Sequence, residues 1–346
     1  MRVAVRLGGV AMTRQLDRGD HTTPSARLGK GWRPGAVEVF IGLLLVVVVG
    51  RGWLVAHMAS PRVLTWLTIF VSIVIQATPF VVLGTVISAA IAVLVPPAFF
   101  ARALPRRPVL AVPVAGLAGA FLPGCECGSV PIAGALVRRG VAPAAALAFL
   151  LSAPAINPVV LVATSVAFPG KPQMVIARLV ASLLAAVVMG WLWLRLGRAH
   201  WLRPKDRPEL AGLGRGAAFI AACRADMTQA GGFLVIGAVT AATLNVAVPP
   251  RWLHAVAGHP WLSVGALSLL AVVLSICSEA DAFVAASLTQ FSLTARLAFL
   301  VVGPMVDAKL FAMQAGAFGR RFALRFAPAT FVVAVLSAVL VGAVAW

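Results

Sequence analysis

A chain of 346 residues that is 61% hydrophobic and only 11% charged is too apolar for a soluble domain, where about a quarter of residues carry charge. Its apolar runs recur at lengths that cross a bilayer as helix, which excludes the short alternating segments of a β-barrel and predicts an all-α polytopic membrane protein. The net charge of +19 does not point to nucleic acid, because most Lys and Arg fall in short loops between apolar runs, where they orient a chain in a membrane.

Residues 1–35 hold seven Lys/Arg among Gly, Pro, Ser and Thr. They lack the apolar stretch and small-residue cleavage site of a signal peptide, so a disordered basic cytoplasmic tail is expected. An extra transmembrane helix is expected over 36–57. A long apolar run over about 64–96 follows, closed by Pro96-Pro97 and a basic loop with Arg102, Arg106 and Arg107. Two short apolar pieces, about 109–123 and 126–138, each fall below the roughly 20 residues that a spanning helix needs. Spans over about 142–168 and 173–197 complete a first membrane repeat, 64–197. A basic linker over 198–215 leads to a second repeat, 216–346.

The break between the two short pieces reads FLPGCECGSVPI, residues 121–132. Pro123, Gly124, Gly128 and Pro131 are expected to interrupt helix around Cys125, Glu126 and Cys127. Residues two apart on a regular helix point about 200° apart, so thiols at that spacing reach one target only from unwound backbone. Irregular backbone at membrane depth is tolerated only where protein or a water-filled cavity covers it. The stretch therefore reads as a site. Pro154, Pro158 and Pro304 are read as further helix breakers, with Asn157 and Asp307 each three residues beyond a proline.

The second half repeats the first. Gln76, Phe80, Gly84 and Pro96-Pro97 recur 153 residues later as Gln229, Phe233, Gly237 and Pro249-Pro250, and Glu126 recurs as Glu279. Pro154 and Asn157 recur at an offset of 150 as Pro304 and Asp307. Together these matches indicate an internal duplication. If 109–138 and 262–291 are re-entrant hairpins, each repeat has three spans and the two repeats are inverted. The cytoplasmic segments then hold 21 Lys/Arg and the external ends five, as the positive-inside rule requires. The expected fold is therefore a pair of inverted repeats, each with three spans and a re-entrant broken-helix hairpin, plus the extra N-terminal span. The expected location is the bacterial cytoplasmic membrane, with the N-terminus on the cytoplasmic side and the C-terminus outside.

Glu126, Glu279, Asp281, Asp307 and Lys309 then lie at membrane depth, where each charge costs about 2.5–3.5 kcal/mol if it faces lipid. A shared interior is the alternative, and inverted repeats bring discontinuous helices together near the midplane. The hairpin tips are expected to carry Cys125, Glu126 and Cys127 towards Cys277, Glu279 and Asp281, with Asn157 and Asp307 lining the same cavity. Cys125, Cys127 and Glu126 are the metal(loid)-ligand candidates, since thiolates select soft centres and carboxylates attract harder cations or carry protons. Structural readings stand beside these. Glu126 and Glu279 could cap half-helices, Asp307 and Lys309 could be an ion pair, Arg178 a snorkelling or paired residue near a helix end, and Cys223 packing. Gln76 and Gln229 could bond helix to helix or line the cavity.

At these motifs the chain resembles a family of predicted bacterial permeases that includes the organoarsenical efflux permeases. The resemblance is carried by Pro123-Gly-Cys125-Glu-Cys127-Gly-Ser-Val-Pro131-Ile, Ala153-Pro-Ala-Ile-Asn157-Pro158, Cys277-Ser-Glu-Ala-Asp281-Ala-Phe283 and Gly303-Pro-Met-Val-Asp307-Ala-Lys309. It covers about residues 35–346. It implies efflux of trivalent methylated arsenic held by paired cysteines, which map onto Cys125 and Cys127, with Cys277 the one candidate for a third thiol. It also implies that a second membrane protein can be involved, and keeps divalent-metal transport open. Independently of the family, the absence of a GxxxxGK[ST] motif favours a secondary transporter, with no cofactor and with protons as a coupling ion. A thiol oxidoreductase is disfavoured because the C-x-C pair lies at midplane depth. A non-transporting subunit of a larger complex, or a homo-oligomer, is the remaining reading.

Overall fold

Proline at the first helical position recurs along this chain, where its fixed φ and missing N–H suit a helix start. In the computed structural model it opens α1 (Pro61–Val93), α2 (Pro97–Ala103), α3 (Pro108–Ala118), α5 (Pro143–Ile156), α6 (Pro158–Ala167), α7 (Pro172–Leu196) and α9 (Pro260–Leu274). The other helices are α4 (Glu126–Arg138), α8 (Arg215–Ala247), α10 (Asp281–Ser287), α11 (Leu293–Val302), α12 (Ala308–Phe318) and α13 (Arg320–Ala345). The structure describes residues 45, 60–121, 125–197, 201–202, 213–247 and 259–346. The basic tail, almost all of the 36–57 span, Pro123, Gly124 and most of the 198–215 linker lie outside these residues. Among them every regular element is helical, and five segments are long and apolar enough to cross a bilayer: α1, α5 with α6, α7, α8 and α13.

Contacts at the helix ends give the run of each element. α1 and α8 pack antiparallel: Trp66 Nε1 donates to Thr243 Oγ1 (3.0 Å) at one end, and Ser88 Oγ donates to Asp226 Oδ2 (2.6 Å) at the other. α3 runs beside α5 in the same direction, since Val112 and Ala144 near their starts both lie against Gly190, while Gly119 after α3 sits against Ser152 and Ala153. Trp191 Nε1 donates to the Val109 carbonyl (3.0 Å), so both starts share a side of the molecule with the end of α7. α4 returns to that side, because only a tight turn through Gly140 (φ +86°) separates it from α5. The start of α13 lies there too, with Phe322 and Phe326 edge-on to Trp193 of α7.

The start of α11 and the end of α13 mark the opposite side. Trp346 Nε1 donates to Thr294 Oγ1 (2.9 Å), which puts the end of α13 and the start of α11 on the opposite side. α9 lies along α11, with Ala271 near its end against Gly303 just beyond α11. Thus α3 and α4 enter and leave on one side, and α9 and α10 on the other.

Two long apolar segments are broken in mid-course, and both breaks are capped by the same chemistry. Asn157 Oδ1 accepts from Val160 N (2.9 Å) to start α6, and Asp307 Oδ1 accepts from Leu310 N (2.5 Å) to start α12. Pro158 and Pro304 do sit at these breaks. Three expected breakers do not act as such: Gly128 and Pro131 lie inside α4, and Pro154 lies inside α5. Packing overrides their low propensity, because α4 and α5 are buried along most of their length. Gly128 serves close approach. A Cβ on Gly84 of α1 would sit 2.6 Å from the Gly128 Cα and carbonyl oxygen, and one on Gly128 would sit 2.9 Å from the Phe80 carbonyl oxygen. Gly84→Val is therefore expected to lower stability by about 1–3 kcal/mol through overpacking of backbone on backbone. Melting of the detergent-purified protein measures this, and an unchanged midpoint would contradict it.

Candidate functional site

Where α3 gives way to α4, the Cys125 backbone is extended (φ −83°, ψ 176°), and Glu126 is the first helical residue. Cys125 therefore stands off the helix cylinder while Cys127 lies on it, and the 200° separation of a regular helix does not apply. Cys125, Cys127 and Cys277 share the lining of one cavity. Cys125 Sγ, a Glu126 carboxylate oxygen and Cys277 Sγ all fall within 4.8 Å of one another. Cys277 donates to Glu279 Oε2 (2.8 Å). All four cysteines are free thiols, and these three are buried. Pro131 has no N–H to offer the Cys127 carbonyl four residues back, so α4 leaves that oxygen without its helical donor beside the thiols.

Lys309 supplies the positive charge. Its ammonium lies 2.5 Å from Glu126 Oε1, 2.9 Å from the Ser275 carbonyl oxygen and 3.4 Å from Asp307 Oδ2. The Asp307–Lys309 pair forms although residues two apart on a helix do not face each other, because Asp307 is the cap outside the helix. Ser275 ends α9 in the left-handed region (φ 49°, ψ 40°), alone in this among the described non-glycine residues. That backbone costs a branched residue about 1–2 kcal/mol. It turns the Ser275 carbonyl to Lys309 while the Ser275 hydroxyl accepts from Ala308 N (3.2 Å). Lys309 is in turn seated by Gly237, where a Cβ would lie 2.5 Å from the Lys309 Cα.

A cavity of about 280 Å³ opens on this cluster, lined by Cys125, Cys127, Cys277, Lys309, Gln76 and Asn245 among others. Its remaining α1 residues, Thr68 to Ala77, belong to the first half of that helix. Gln76 thus lines the cavity, whereas Gln229 bonds helix to helix, donating to the Gly316 carbonyl (2.8 Å). Cys223 lies 4.0 Å from the Thr85 carbonyl, away from the other thiols.

Glu126 and Asp307 lie behind the lining against Lys309, Glu279 lies against Cys277, and two further expected site residues go elsewhere. Asn157 is spent as the α6 cap. Asp281 pairs with Arg178 of α7 (2.8 Å), and neither residue lines the cavity. Arg178 does not snorkel: it is fully buried. Its only sequence signal was an arginine within an apolar run, and the partner that buries it lies 103 residues away. Arg178 thus takes the paired one of its two expected readings, whereas Asp226, which accepts from Ser88 and lies 3.8 Å from Arg138, carried no expectation.

The model of the predicted permease family ArsP_1 matches residues 63–343. The chain is 33% identical over 294 residues to a "Putative two-component membrane permease complex subunit" of Streptococcus mutans, covering 83% of this chain and 97% of that protein. It is 36% identical over 268 residues to UPF0718 protein YcgR of Bacillus subtilis, covering 74% of this chain and 89% of that one. No solved structure matches.

Proposed function

This chain belongs to the predicted permease family ArsP_1, and on that footing we propose that it is a secondary transporter of the bacterial cytoplasmic membrane that exports a soft metalloid compound such as trivalent methylated arsenic. The observation that carries the proposal is that Cys125, Cys127 and Cys277, from the two halves of the chain, line one cavity, with the Cys125 and Cys277 sulfurs within 4.8 Å of each other. Soft thiol donors select a soft, thiophilic centre. Each As–O bond of a neutral methylarsenite exchanged for As–S releases one water, the thiol proton leaving with the hydroxyl. Glu126 is placed to take up and return that proton. A free divalent cation is served less well, because Lys309 already occupies Glu126 and Asp307 and would have to be displaced.

The proposed architecture is a pair of inverted repeats, each with a re-entrant hairpin. It is supported by the opposite sides on which α3/α4 and α9/α10 enter and leave. The side at the end of α7 carries Arg102, Arg106, Arg107, Arg138, Arg139, Arg195, Arg320 and Arg321, whereas the other carries Arg62, Lys171 and Arg296. The basic side is proposed as cytoplasmic, which makes the cavity outward-facing. Cysteine labelling tests this: Arg139→Cys is expected to react only from the cytoplasm and Gln290→Cys only from outside. Labelling of Arg139→Cys from outside would overturn the inverted arrangement.

Transport itself is tested in everted vesicles offered methylarsenite, arsenite or Zn²⁺. Accumulation of methylarsenite is expected, and accumulation of Zn²⁺ alone would move the site to the carboxylates. A second reading is a complex subunit needing a partner, favoured by the name of the Streptococcus mutans relative. It predicts no transport by this chain alone.

A further inference from the structure

Each hairpin tip carries a buried acid held by a buried cation from the opposite half. Glu126 of the first half meets Lys309 of the second, and Asp281 of the second meets Arg178 of the first. The two pairs differ in their surroundings. Lys309 and the residues beside Glu126 line the cavity, whereas the Arg178 pair is sealed between α6, α7 and α10. Arg178 does not grip Asp281 as a two-pronged fork. One terminal nitrogen serves both Asp281 Oδ2 (2.8 Å) and the Ser278 carbonyl (3.2 Å), and the other donates to Thr164 Oγ1 (2.8 Å). Around this single bond four buried polar atoms have no hydrogen-bond partner among the described residues: Arg178 Nε, Asp281 Oδ1, Ser278 Oγ and, one helical turn along from Arg178, Ser182 Oγ. Buried polar atoms are otherwise almost always satisfied. Donors and acceptors left open in one place suit a bound water and a proton on the bare carboxylate oxygen.

We infer that Asp281 and Arg178, with Ser278, Ser182 and Thr164, form a proton-binding site separate from the thiol cavity. A proton on Asp281 Oδ1 turns a neutral ion pair into a lone buried guanidinium, which is strongly unfavourable unless water or another anion reaches it. Protonation therefore weakens the hold of α7 on the tip of the second hairpin. The other charged groups near Asp281 do not replace Arg178. Glu126 and Glu279 are acids, Arg296 of α11 donates to the Phe291 and Thr289 carbonyls, and α6 has no titratable residue.

A coupling role for this site rests on the transporter reading, but proton binding does not, so it is tested without any substrate. Infrared difference spectra of the whole protein in lipid, taken on acidification, are expected to show the C=O stretch of a newly protonated buried carboxyl. The band should be lost in Asp281→Asn, kept in Asp281→Glu and kept in Glu126→Gln. In Arg178→Gln the difference band should disappear while the absolute spectrum carries the C=O stretch at every pH, since an unpaired buried carboxyl stays neutral. A band that survives Asp281→Asn, or no such band in the wild type, would overturn the site. In proteoliposomes, Asp281→Asn is expected to retain methylarsenite exchange while losing accumulation driven by a pH gradient. Gradient-driven accumulation at the wild-type rate would overturn the coupling role. Wild-type protein that moves no methylarsenite while the band behaves as expected would overturn the transporter reading alone.

Discussion

Replacing Cys125 and Cys127 together by Ser is expected to reduce methylarsenite accumulation by at least about 100-fold. Losing even an outer-shell partner of a metal ligand costs 10–100-fold, and here two direct donors go at once. Cys277→Ser alone is expected to lower accumulation strongly as well, because its thiol lies against Cys125 across the join between the two halves. Cys223→Ser is the internal control. Its sulfur faces the Thr85 carbonyl, and transport should be unchanged. Full activity in the double variant would remove the thiols from the mechanism. An effect of Cys277→Ser no larger than that of Cys223→Ser would reduce the site to the C-x-C pair of the first half.

Lys309→Met is expected to be the most destabilising single change in the site. Its ammonium is the nearest cation to Glu126 and Asp307, all three residues being buried. Glu126 Oε2 has no hydrogen-bond partner among the described residues, so the pair has no second means of balancing its charge. Removing one partner of a buried ion pair costs about 3–5 kcal/mol, much of it the penalty of the stranded charge. The loss should appear as a large drop in the melting midpoint of detergent-purified protein. Adding Glu126→Gln to Lys309→Met should recover part of it, since only Asp307 is then left without its cation. Equal melting of wild type and Lys309→Met, or no recovery in the double variant, would show that Lys309 does not balance Glu126. The Lys309→Met/Glu126→Gln protein also separates folding from binding, because a stable protein whose methylarsenite binding no longer depends on pH would place Glu126 in proton uptake.

The broad architecture was legible because it follows from rules that act locally. Run lengths and hydropathy set the helices. The breaks at Pro158 and Pro304 were legible for the same reason, since a proline followed or preceded by a side chain that can cap a helix is a short-range signal. Gly128, Pro131 and Pro154 misled because propensity is a weak prior against burial. A glycine can mark a close helix crossing as readily as a break, and only its neighbour tells which.

The amino-acid sequence by itself determined that this is a membrane-embedded all-helical chain, and it marked Cys125, Glu126, Cys127 and Cys277 as candidate ligands. Only the tertiary structure decided how the charges pair: Glu126 with Lys309 at the cavity, Asp281 with Arg178 in a sealed cluster, and Asn157 as a cap. The physical reason is range. Helix formation, breaking and capping depend on neighbours within about four residues along the chain, whereas a buried charge is stable only beside its counter-charge. Those partners lie 103 residues apart in the Arg178–Asp281 pair, a separation that only the packing of the two halves can close.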